Sequence, residues 1–127
     1  MGDKKEVLKF SLALQTIDVE LENPENKEVE KFILREMDGV ARDSYISFIS
    51  KRMKSDSKGD TQVTNFDGLQ ANLLHSCLFR VTDEGKETAV PMGTIQKWPS
   101  RVVGALFDKA KEISGMDDDA EEEAGND

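Results

Sequence analysis

The stretch IDVELENPENKEVEKFILR, residues 17–35, alternates apolar and polar positions on both sides of a turn-rich centre. Ile17, Val19 and Leu21 alternate with Asp18 and Glu20, the period of a half-buried strand. Beyond ENPENKE, Val29, Lys31, Ile33 and Arg35 fall on one face, and Glu30, Phe32 and Leu34 on the other. Pro24 fixes its own φ, and Asn23 and Asn26 tolerate turn conformations, so the centre reverses the chain. Upstream, Leu8, Phe10, Leu12 and Leu14 alternate with Lys9, Ser11 and Ala13, which predicts a further strand. The N-terminal third therefore predicts a small antiparallel hairpin or meander of about two or three strands. Such a unit is marginal alone and requires a helical layer over its apolar face.

That layer is predicted downstream, where the period lengthens. Tyr45, Ile46, Phe48, Ile49 and Met53 recur at helical spacing, while Arg42, Asp43, Ser47 and Lys51 fall largely elsewhere on the wheel. A helix over about residues 41–54 is expected, ended by the flexible loop KSDSKGD. In TNFDGLQANLLHSCLF, residues 64–79, Thr64 and Asp67 have capping-box spacing, and Leu69, Leu73, Leu74, Cys77 and Leu78 form one apolar face bracketed by Phe66 and Phe79. VTDEGKETAV offers a turn at Glu84–Gly85 between Val81 and Val90, a short hairpin or an ordered loop. The last helix starts at Pro99, whose missing amide hydrogen has no partner in a first turn. Its buried stripe is Val102, Val103, Leu106, Phe107, Ala110 and Ile113, and Gly115 is placed to end it. Trp98, the single tryptophan, anchors that helix start by packing; the alternative role is an interface hot spot.

At 127 residues, 37% hydrophobic and 34% charged, the chain suits one globular domain with a modest core. No apolar run reaches the length of about 18–20 residues that a membrane helix needs. The start MGDKKEVLKF lacks a secretory apolar core, and Glu6 stands where a myristoylation signal wants Ser or Thr, so a cytoplasmic protein is expected. The single Cys77 cannot form an internal disulfide. Of the net charge of −9, only −2 belongs to residues 1–116, because the tail holds Asp117, Asp118, Asp119, Glu121, Glu122, Glu123 and Asp127 and no base. Like charges repel, so a disordered acidic tail is expected over 117–127. The tail is no calcium loop, since Glu122 occupies the position an EF-hand gives to glycine. The fold expectation is thus a single α+β domain, mainly helical, over residues 1–116. A small N-terminal antiparallel hairpin or meander packs on about three principal helices, and the tail follows.

Catalysis needs converging groups, and few are in sight. His75 and Cys77 are two apart, which on a helix sends them to different faces. The chain contains no CxxC, HxxxH or HExxH, and Ser76 beside His75 lacks a nucleophile-elbow context. The glycines are scattered, without a phosphate-cradling pattern. No enzyme activity, no cofactor and no metal are expected, with His75 a satisfied polar residue at a helix rim. Lys51, Arg52, Lys54 and Lys58 lie beside Asp56 and Asp60 without interleaved aromatics, a solvated helix end rather than a nucleic-acid patch. Phe10, Phe32, Phe48, Phe66, Phe79, Phe107 and Trp98 are spread over every element, a surplus that points to an apolar partner surface.

Three stretches carry a resemblance over most of residues 28–117: REMDGVARDSYISFI, TNFDGLQANLLHSCLF and TIQKWPSRVVGALFDKAKEISGMD. Their order and content resemble the tail assembly chaperones of long-tailed bacteriophages. The most telling pieces are FDGLQANLL, Phe66 to Leu74, and the IQxWPSxV entry to the last helix, Ile95 to Val102. The resemblance implies a non-enzymatic protein of the host cytoplasm, absent from the mature virion. Its implied partners are the tape-measure protein, whose apolar helical segments it keeps soluble, and the tail-tube protein, whose polymerisation it assists. It also implies a longer frameshifted form, for which the acidic stretch would serve as linker. Leu69, Leu73, Leu74, Phe79, Ile95 and Trp98 are the candidates for a client groove. No nucleic acid or membrane partner is expected, and self-association is left open. The competing reading is an acidic adaptor or inhibitor that engages a basic host protein through Asp117, Asp118, Asp119, Glu121, Glu122 and Glu123 by mimicking nucleic-acid charge.

Overall fold

Asn23 and Asn26 reverse the chain as turn residues do. The Asn23 side-chain oxygen accepts from the Glu25 amide, and that of Asn26 from the Glu28 amide, each at 2.9 Å. Lys27 takes the left-handed conformation (φ 59°) that closes the turn. A computed structural model describes residues 6–55, 61–63 and 68–116. In chain order its elements are β1 (Thr16–Glu22), β2 (Val29–Arg35), α1 (Gly39–Ser50), β3 (Met53–Ser55), β4 (Thr61–Val63), α2 (Leu69–Cys77), β5 (Leu78–Val81), β6 (Glu87–Ala89), α3 (Met92–Ile95) and α4 (Ser100–Ile113). The chain is α+β, with a four-stranded antiparallel sheet in the order β1-β2-β5-β6 and a separate β3–β4 pair.

Register places the apolar alternation on one face. Ile17 stands opposite Leu34 and Val19 opposite Phe32, and Leu34 in turn faces Leu78. Phe32, Leu34 and Leu78 are buried. They meet Tyr45 and Ile49 of α1, Leu73, Leu74 and Cys77 of α2, Ile95 of α3 and Leu106, Phe107 and Ala110 of α4 in one core. The Tyr45 and Phe107 rings pack edge to face, with centroids 6.2 Å apart. Alternation sends Arg35 and Phe79 to the other face of the sheet. There the Arg35 guanidinium lies 4.9 Å from the Phe79 ring centroid and pairs with Glu87 at 2.6 Å.

Two expectations about the sheet are corrected. It is not an N-terminal unit: β2 lies beside β5, a strand reached only after two helices, and the Gly85 turn (φ 81°) then returns the chain as β6. Residues 8–14 belong to no strand. The β2 partner runs out after Arg35, where Glu36 donates its amide to the Gln15 carbonyl (2.8 Å) and accepts the Gln15 amide on its carboxylate (2.7 Å). The next amide, Met37, donates to the Ser114 hydroxyl at 2.9 Å and so leaves the sheet.

The helix boundaries follow their caps. Asp38 accepts the Ala41 amide at 2.9 Å and starts α1. That helix ends at Ser50, short of residue 54, because Met53–Ser55 pair with Thr61–Val63. The Thr64–Asp67 capping box lies outside the described residues; α2 begins after Gly68 (φ 74°) with no side-chain cap. Pro99 is the N-cap (φ −54°, ψ 139°) rather than the first helical residue, and α4 begins one place later, at Ser100. At the far end Gly115 (φ 68°) donates to Glu112, and Met116 donates to Lys111 at 2.7 Å while burying its side chain. This is the Schellman closure that a left-handed glycine permits. The one-turn α3 was not foreseen, and the acidic tail lies outside the described residues.

Candidate interaction cleft

The start of α2 and the passage from α3 into α4 do not close on each other. Gly68, Leu69, Gln70 and Ala71 form one wall of an open cleft of about 500 Å³, and Gln96, Trp98, Ser100 and Val103 form the other. The α2 wall is brought close by Gly68: a Cβ there would lie 3.4 Å from the Met92 Cε and 3.6 Å from the Gln96 Nε2, in a backbone conformation side chains rarely adopt. The opposite wall is set by the turn amides of Lys97 and Trp98, which donate to Thr94 and Ile95 at 3.2 and 3.1 Å. Trp98 stands edge-on to Phe32, with centroids 5.6 Å apart and ring planes at 79°, so one side of the indole is held by the core. It is half-buried, and so is Leu69. Buried Ala71 and Val103 are core members as well as cleft lining.

The described lining supplies apolar surface, two amide side chains and one hydroxyl, and no side chain that titrates. What it can do is hold apolar groups and orient them through a few hydrogen bonds. A cleft of this volume lies in the range of binding pockets, which combine an apolar lining with a small number of polar groups.

Of the six candidate partner residues, the structure brings Leu69 and Trp98 together on the cleft. Leu73, Leu74 and Ile95 are at 0% exposure in the core. A charge at Leu73 therefore reports on folding, not on binding. Phe79 lies on the sheet face turned away from the helices, against Arg35. Gly68, Gln70, Ala71, Gln96, Ser100 and Val103 were not named as candidates, although Gly68 to Ala71 fall within FDGLQANLL and Gln96 and Ser100 within IQxWPSxV.

Elsewhere the polar side chains are turned to structural tasks. His75 Nδ1 lies 2.8 Å from the Val90 carbonyl, and the Ser76 hydroxyl donates to the Asn72 carbonyl, so the two bond backbone rather than each other. The Cys77 thiol donates to the Leu73 carbonyl, and burial pushes its pKa up to about 12. Arg52 lies over the Phe48 ring, 3.6 Å from its centroid, and reaches the Phe48 carbonyl. No helix among the described residues is long and apolar enough to cross a membrane. Comparisons of the chain with family models, with curated proteins and with solved structures find no match.

Proposed function

We propose that this protein is a non-enzymatic tail assembly chaperone of a long-tailed phage, acting in the host cytoplasm and leaving before the virion matures. In this reading it seats apolar anchors from a helical segment of the tape-measure protein in the cleft, and it helps bring tail-tube protein to the loaded client. One observation carries the proposal. Gly68 to Ala71 of FDGLQANLL and Gln96, Trp98 and Ser100 of IQxWPSxV, the two sequence pieces that most resemble the chaperone family, line the same cleft. An amphipathic helix presents anchors at three- and four-residue spacing, and a cleft of about 500 Å³ takes such anchors rather than a whole helix.

The test is co-purification of the tagged protein from cells producing the phage. The expected result is recovery of one very long helix-rich protein, kept when residues 117–127 are removed. Leu69→Lys, at the half-buried rim, is expected to lose at least about tenfold in client affinity, or about 1.4 kcal/mol, while circular dichroism shows the variant still folded at the assay temperature. Binding that survives Leu69→Lys but disappears with the tail, and weakens steeply with salt, would instead establish the acidic adaptor.

A further inference from the structure

The charges beside the cleft are of one sign. The segments that form its walls, residues 68–77 and 91–107, contain no Asp or Glu. Lys97 lies between the lining residues Gln96 and Trp98, and Arg101 directly follows Ser100. Both bases are exposed, and among the described residues neither has an ion pair, a side-chain hydrogen bond or an aromatic ring against it. Other arginines are engaged: Arg35 by Glu87 and Phe79, Arg52 by Phe48, and Arg80 by Glu30 and Phe32. Arg80 comes near the cleft through the Phe32 ring that abuts Trp98, but its pairing with Glu30 at 3.4 Å offsets its charge. Arg101 also stands where a helix tolerates a cation least. It is in the first turn of α4, where the aligned peptide dipoles are positive and no acid is present. The start of α2, on the facing wall, likewise has neither an acid nor a side-chain cap. An unpaired cation that opposes its own helix, with no carboxylate among the described residues to offset it, is a local conflict of the kind that marks a working surface.

We infer that the cleft takes an amphipathic helix that carries Asp or Glu beside its apolar anchors, with Lys97 and Arg101 receiving those carboxylates at the rim. This rests on the reading of the cleft as a docking site for a helical segment, and it adds the charge that the segment must bear. On the surface of a helix, residues three and four places from an anchor lie next to it, so an acid at that spacing comes to the rim when the anchor enters. The Arg101 guanidinium donates two parallel hydrogen bonds to one carboxylate, and Lys97 supplies a point charge. The chain as a whole has the opposite bias. Its net charge is −9, so long-range attraction selects a basic partner. A preference for an acidic helix is therefore the signature of these two residues and not of the overall charge.

The test uses the full chain and three synthetic helical peptides with the same leucines at three- and four-residue spacing. The peptides differ only in whether the positions flanking the leucines are Glu, Gln or Lys, and binding is read by calorimetry. At low salt the Glu peptide is expected to bind about tenfold more tightly than the Lys peptide, with the Gln peptide between them. The gap is expected to close as salt rises from about 20 to about 500 mM. Lys97→Gln with Arg101→Gln is expected to bring the Glu peptide to the affinity of the Gln peptide, whose own binding is kept. Circular dichroism is expected to show this variant folded, because both side chains are exposed. Leu69→Gln, which adds no charge to the cleft, is expected to weaken all three peptides. Equal binding of the three, tighter binding of the Lys peptide, or a Glu preference that survives the double variant would overturn the inference and leave the cleft as a docking site. Binding of the Glu peptide only after removal of residues 117–127 would also overturn it, by giving the rim to the chain's own acids. Failure of every peptide to bind at about 1 mM, or binding indifferent to Leu69→Gln, would overturn the docking site and the inference together.

Discussion

Cys77 sits at the end of α2 with its sulfur against the Leu73 carbonyl and no exposure to solvent. Burial holds the thiol neutral, raising its pKa from the ordinary 9.0 to about 12. In the folded protein the proton therefore stays on between these values, while the unfolded chain releases it. The bound-proton difference favours unfolding as pH rises through 9, so this contribution to stability is present below 9 and is lost above it. Between pH 8 and pH 10 the unaltered protein is expected to lose about 1.4 kcal/mol more stability than Cys77→Ala does, measured by urea denaturation at both values. The same burial predicts that a thiol reagent labels Cys77 only as fast as the chain opens. At the cleft, Leu69 and Trp98 were legible as large apolar residues near helix starts. Their neighbours Gly68, Gln96 and Ser100 were not, because small and polar residues acquire a place in a cleft only through the topology that brings two walls together. That Leu73 and Leu74 are buried was not legible for a related reason: helical spacing identifies an apolar face but does not say whether core or solvent lies against it.

Elements with a local cause were legible. β1 and β2 flank a turn whose asparagines bond their own backbone, and α4 is bounded by Pro99 and Gly115. Residues 8–14 alternate but join no strand, because alternation records two unlike faces and not the presence of a neighbour to bond. The change of phase between Leu14 and Ile17 was the available signal. The β5–β6 hairpin was signalled by its Glu84–Gly85 turn, whereas β3, β4 and α3 are segments of only three or four residues, too few to show a period. The start of α1 depends on one side chain, since Asp38 satisfies an amide that no helical carbonyl can reach. Asp38→Ala is expected to lower stability by about 1 kcal/mol, and Asp38→Asn by less, because the amide oxygen still accepts. Urea unfolding of both variants measures the difference.

At the scale of the molecule, the C-terminal end of the described fold is tied back to the junction of β2 and α1. The Ser114 hydroxyl at the end of α4 receives the Met37 amide at the junction of β2 and α1, and Met116 is buried behind it. A chain ending at Ile113 loses that bond, the glycine closure and the Met116 side chain together. It is expected to be about 3 kcal/mol or more less stable than one ending at Met116, compared by thermal and urea unfolding. The sheet has the same character, since β2 is completed only when β5 arrives from beyond α1 and α2. The pairing of such distant segments delays folding relative to a simple hairpin-plus-helices chain. Trp98 bridges the two parts of this molecule, with Phe32 against one edge and the cleft along another side. As the chain's lone indole it is a built-in optical gauge. Its fluorescence follows the joining of sheet to helices as the chain folds, and then, in the finished protein, follows water leaving the cleft as a ligand enters.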